Sequence, residues 1–132
     1  MLKVGEKTTV KVVARRFWNN TGLQITVGQN YQFLAAGTWV DLLIPCDADG
    51  YSTPRWYPPM RIMQRHRRLP DENWLILAGA VRAGNDCRSF VVGSSREVRM
   101  PATGQLAFFA NDVPGFYWNN LCSIRLEITR LS

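Results

Sequence analysis

Asn111, Asp112, Asn119 and Asn120 stand close together in the run Asn111-Asp112-Val113-Pro114-Gly115-Phe116-Tyr117-Trp118-Asn119-Asn120. One carboxylate and three side-chain amides are hard oxygen donors. With neighbouring backbone carbonyls they are the ligand type that a divalent cation such as calcium takes. The Pro114-Gly115 pair folds the run back, so Asp112 can face Asn119 and Asn120. The same residue types are turn formers, and a plain hairpin loop is the alternative reading.

Other candidate chemistry is sparser. Asp47-Ala48-Asp49-Gly50 spaces two carboxylates like the start of a calcium loop, but the later ligands are missing and a plain turn is expected. Arg65-His66-Arg67-Arg68 would suit a phosphate or an acidic sugar, with a solvated basic edge as the alternative. His66 is the only histidine, and the HExxH, P-loop, GxSxG and GxGxxG patterns are absent. No nucleophile and base can be assembled, so the chain reads as a non-enzyme. Asn19-Asn20-Thr21 fits a glycosylation triplet and is read as turn chemistry.

The elements that would position the 111–120 run are strands. Leu106–Ala110 precedes it and Ile124–Leu131 follows it; within Ser123–Leu131, apolar and polar residues alternate strictly. Period-two patterns predict further strands at Thr9–Val13, Gly22–Val27, Tyr31–Ala36, Trp39–Ile44, Ser89–Val92, Glu97–Met100 and Gln105–Ala110. Trp74–Val81 is a continuous apolar run and suits a strand buried on both faces. No segment shows helical periodicity. About eight short strands with Gly-rich turns predict an all-β fold, an antiparallel β-sandwich. Pro45 to Asn73 breaks the rhythm: it holds five of the seven prolines and reads as one long loop.

Composition sets the outer limits. The 132 residues suit a single domain, 1–132, and 46% hydrophobic content with five Trp excludes disorder. No apolar run nears the ~20 residues of a membrane span. The N-terminal residues lack a signal-peptide core, so cytosolic synthesis is expected, with any release by a non-Sec route. Cys46, Cys87 and Cys122 have no CxxC spacing and are expected to be free, buried thiols. The net charge is +6, and Arg55, Arg61, Arg65, Arg67 and Arg68 fall between Tyr51 and Leu69 with no acid among them. Basic charge with aromatics permits nucleic acid without specifying it, and a nucleic-acid partner is not expected.

The 111–120 run closely resembles the calcium- and sugar-binding loop of the LecA-type galactophilic bacterial lectins. There an Asn-Asp-Val-Pro-Gly run is followed, three residues later, by Asn-Asn. Thr21-Gly22-Leu23, Val27-Gly28-Gln29 and Ala35-Ala36-Gly37 fit the same pattern more weakly. The resemblance implies a lectin sandwich of the galactose-binding-domain-like, jelly-roll type. It implies calcium held by the side chains of Asp112, Asn119 and Asn120 and by the carbonyls of Phe116 and Asp41. Asp41 is placed by counting four on from Gly37.

Two hydroxyls of a galactose-type sugar would complete the ion's shell, with further hydrogen bonds between the sugar and Asp112, Asn119 and the Val113 amide. The family's further contacts, a His and a Gln in the middle loop, point by region to His66 and Gln64. Family members are typically tetramers, so a homo-oligomer, dimer or tetramer, is expected. Trp118 stands where the family has Gly; it could stack on a pyranose, fill the site or pack on a neighbour. Leu121-Cys122 replaces Ser-Gly. The competing class is a non-catalytic sandwich that has lost metal binding and uses its Arg/Trp-rich 51–69 segment for an acidic partner or self-assembly.

Overall fold

A computed structural model describes all 132 residues. Two four-stranded antiparallel sheets face each other across one core. The first contains β1 (Lys7–Val13), β3 (Asn30–Ala36), β8 (Ser95–Arg99) and β11 (Ser123–Arg130), in the order β1-β11-β3-β8. The second contains β2 (Asn19–Ile25), β6 (Leu77–Ala83), β7 (Asp86–Val91) and β9 (Gly104–Ala110), in the order β2-β9-β6-β7. A small third sheet, β10 (Asn120–Leu121), β4 (Trp39–Asp41) and β5 (Ile44–Cys46), sits at one end. No helix is long and apolar enough to cross a membrane.

The alternation in the sequence builds the core. Ile124, Leu126 and Ile128 of β11 point inward and are fully buried, while Arg125 between them is exposed. Tyr31 and Phe33 do the same on β3, and Phe33 meets Phe108 of β9 edge-on at 5.5 Å. Of the apolar run Trp74–Val81, Leu77–Val81 lies in β6 and is buried on both faces as expected, whereas Trp74–Ile76 precedes the strand, with Leu75 at φ 54°. The outward Ala78 and Ala80 of β6, with Phe109, are covered by Trp18 and Leu69. The middle loop therefore lies on the second sheet and does not hang in solvent.

Four expectations need correction. Trp39–Ile44 is not one strand. The chain turns at Leu42, whose φ of 57° lies in the left-handed region, and β4 pairs back on β5 as a hairpin. The Leu42 N–H is held by the Asn119 carbonyl at 3.0 Å, a long-range bond no local pattern encodes. The 45–73 stretch holds a short helix, α1 (Pro58–Met63), where none was expected. Its proline start favours the first turn, and it buries no residue, so it leaves no apolar stripe to read. The third strand begins at Asn30, but the second begins at Asn19, ahead of Gly22, with a register shift between Asn20 and Gln24. The thiols are free, but only Cys46 is half-buried. Cys87 is exposed on the edge strand β7, and Cys122 is exposed at the junction before β11.

Candidate functional site

The end of β9 delivers the 111–120 run to the rim of the sandwich. Asn111 and Asp112 leave the strand buried. Gly115, at φ 93°, lets the chain reverse, and the Phe116 N–H closes the turn on the Val113 carbonyl at 3.0 Å. A single 3-10 turn, Tyr117–Asn119, then feeds β10. Pairing of β10 with β4 sets Asn120 opposite Asp41. One reversal and one strand pair thus bring Asp41, distant in sequence, to Asp112, Asn119 and Asn120 of a single loop. Asp41, Asp112 and Asn120 are buried there, and Asn119 is half-buried.

Their hydrogen bonding is incomplete in one direction only. Asp112 Oδ1 accepts the Val113 N–H at 2.7 Å, and Oδ2 has no donor. Asn120 Nδ2 donates to the Ala14 carbonyl at 3.3 Å, which leaves Oδ1 with no donor. Asn119 Oδ1 is buried and unpartnered as well. Each such orphan costs about 1–3 kcal/mol, and folded proteins carry few. All three are oxygen acceptors, so what they lack in common is a donated proton or a cation.

The electrostatics agree. Burial, then the neighbouring Asp41, pushes the Asp112 carboxyl up to about 7. Burial also raises Asp41, against a hydrogen bond from the Tyr51 hydroxyl to its Oδ2. No cation pairs with either; the one salt bridge joins Lys7 and Glu127. Carboxylate and amide oxygens fit a hard ion such as calcium. No three His, Cys, Asp or Glu side chains gather anywhere, so the donor set of a zinc site is not assembled.

These groups form the polar end of a cavity of about 250 Å³, where Asp41, Asp112 and Asn119 face the apolar side chains of Tyr57, Met60, Met63 and Trp118. Val113 and Phe116 also line it. The Val113 N–H, expected as a sugar donor, is engaged by Asp112 Oδ1. His66 and Gln64 are not brought to the cavity. Gln64 Oε1 accepts the Thr53 hydroxyl at 2.7 Å, and exposed His66 lies beside Arg65. Trp118 is largely exposed at the mouth of the cavity that it helps to line.

Two residues that the sequence offered for ligand binding have supporting roles instead. Asn111, one of the three amides expected among the oxygen donors, is fully buried and its Oδ1 is taken: it accepts the Leu69 N–H at 2.8 Å. Its Nδ2 donates to the Leu69 and Asn73 carbonyls, both at 2.9 Å. It thereby clamps the middle loop beside the site. Arg68 continues the clamp, its N–H bonded to the Asp112 carbonyl at 3.0 Å. Its guanidinium stands 3.5 Å from the Phe109 ring centre and 3.8 Å from that of Phe17. Arg67 is likewise engaged, by the Gln64 and Pro70 carbonyls. Two of the five middle-loop arginines are therefore structural.

Compared with family models and with curated proteins, the chain matches none. Among solved structures it is similar to the EclA N-terminal domain, a PllA-like lectin. The TM-score is 0.66 at 21% identity, over 92% of this chain and 94% of that one. A functionally unknown conserved protein from Bacillus anthracis str. Ames aligns with a TM-score of 0.48 at 8% identity, over 94% of this chain and 21% of that one. The first likeness establishes the fold, an antiparallel β-sandwich like that of this PllA-like lectin.

Proposed function

We propose that this chain is a calcium-dependent carbohydrate-binding protein, without catalytic activity, that takes a galactose-type sugar. The observation that carries this reading is the trio of buried, unpartnered oxygens on Asp112, Asn119 and Asn120. The lectin fold and the loop resemblance support it. Those three side chains would hold calcium, joined by the carbonyls of Asp41 and Phe116. Calcium, when bound, accepts two vicinal sugar hydroxyls into a shell of ~6–8 oxygens.

The chain's own residues do the rest. Asp112 and Asn119 lie at the polar end, where they can accept from the same hydroxyls. Trp118 and Tyr57 present aromatic surface to the apolar face of a pyranose, and narrow the entrance where the family has Gly at the Trp118 position. Burial of Asp41 and Asp112 keeps bulk water from competing with these bonds. His66 and Gln64 do not reach the cavity and are left out of the sugar site. A single small site of this kind binds modestly, and a dimer or tetramer would supply avidity.

The test is thermal unfolding in EDTA, in calcium, and in calcium with galactose. A ligand that binds only the folded state stabilises it by about 2.7 kcal/mol at a hundredfold excess over its Kd. Galactose is expected to raise the midpoint only when calcium is present. An equal rise in EDTA, or none from any simple hexose with calcium present, contradicts the reading.

A further inference from the structure

The mouth of the cavity carries an unusual amount of projecting apolar surface. Leu43 is 86% exposed, Trp56 73%, Ile62 68% and Trp118 64%. They come from three segments: the β4–β5 turn, the stretch through α1, and the 3-10 turn of the 111–120 run. Trp118 lines the cavity, and Leu43, Trp56 and Ile62 each adjoin in sequence a residue that lines it (Leu42, Tyr57 and Met63), which sets all four around its mouth. The Trp56 ring lies 5.8 Å from that of Tyr57. α1 buries no residue, so this part of the loop is not held by the core as Leu69 is.

Cations accompany the rim. Arg55, Arg61 and Arg65 are exposed, none forms a salt bridge, and no acid occurs between Tyr51 and Leu69. Large exposed apolar side chains beside unpaired charge mark an interaction surface. We infer that this rim docks on an anionic phospholipid bilayer.

Charge and shape favour that occupant over a second copy of the chain. A two-fold contact through the rim would bring six arginines, three from each copy, to one interface, with no acid in the 51–69 segment to neutralise them. A bilayer accepts both halves of the pattern. Tryptophan settles at headgroup level, Leu43 and Ile62 reach below it, and arginines run their stems along the apolar layer to the phosphates. Leu43 stands at the tip of a two-residue turn, a shape suited to insertion. Docking in this way turns the cavity towards the membrane surface. The inference needs neither calcium nor sugar, so it stands or falls apart from the lectin reading.

The experiment is co-sedimentation of the full chain with vesicles, in EDTA and without sugar. Vesicles of phosphatidylcholine alone are compared with phosphatidylcholine mixed with phosphatidylglycerol. Binding to the mixed vesicles is expected to be about tenfold tighter or more, and to weaken with salt. Brominated acyl chains are expected to quench tryptophan fluorescence. Leu43→Asp with Trp56→Ser should cut binding about tenfold, and Arg61→Glu with Arg65→Glu should remove the preference for phosphatidylglycerol. All four side chains are exposed, so each double variant should melt with the wild type, which separates lost docking from lost folding. No binding at low salt overturns the inference, as does binding unchanged in both variants. A concentration-dependent dimer abolished by Leu43→Asp, with no vesicle binding, also overturns it and assigns the rim to a second copy.

Discussion

Asp112→Asn is expected to make the calcium-free protein more stable near neutral pH while removing its response to calcium. The Asp112 carboxyl is raised from 3.8 to about 7, by burial first and by Asp41 second. In the unfolded chain it ionises near its ordinary value; in the folded chain it holds its proton until about 7. Its contribution is therefore fully present below about pH 4 and lost as the pH rises through about 7. At ~1.4 kcal/mol per unit, the loss approaches roughly 4 kcal/mol as an upper figure. An Asn side chain keeps the oxygen that accepts the Val113 N–H and carries no charge. Calorimetry in EDTA at about pH 8 should show the variant melting several degrees above the wild type, with a flatter pH dependence. The same variant should give no shift with calcium. A destabilised variant that still responds to calcium contradicts the assignment.

Asn111→Ala is expected to cost about 3–4 kcal/mol and to loosen the middle loop. The side chain is fully buried and pairs with the Leu69 N–H and with the Leu69 and Asn73 carbonyls. Alanine leaves all three groups without their partner. Asn111→Asp should be little better, because a carboxylate would face two carbonyl oxygens where the amide donated. Urea unfolding measures the stability, and limited proteolysis between residues 51 and 73 reports the loop. Since Arg68 bonds to the Asp112 carbonyl, calcium affinity should fall with it. A loss below about 1 kcal/mol, with the loop still protected, would mean that the clamp does not hold the site.

The strands were legible where packing and pattern coincide. The alternation of 123–131 appears as β11 because one face of that sheet is buried and the other is wet. The 111–120 loop was legible for a different reason: its oxygen donors are nearly contiguous, so no tertiary information is needed to bring them together. Asp41 was reached through the family resemblance alone. Its place opposite Asn120 depends on the β4–β10 pairing, which spacing does not reveal. The middle loop stayed opaque because its order is non-local. Asn111 and the aromatic rings around Arg68 hold it, and α1 has no buried face to leave a period. His66 and Gln64 were placed only by region in that loop, and the structure turns them to its outer side and to Thr53. The thiols were expected inside because cysteine is commonly buried; Cys87 sits outside because its strand is an edge.

Titration calorimetry of calcium into the metal-free protein at about pH 8 tests the central claim most directly. One ion per chain is expected, and no heat with Asp112→Asn, although that variant is folded. Absence of binding at millimolar calcium in the wild type would contradict it, and would leave the buried oxygens of Asp112, Asn119 and Asn120 without a purpose.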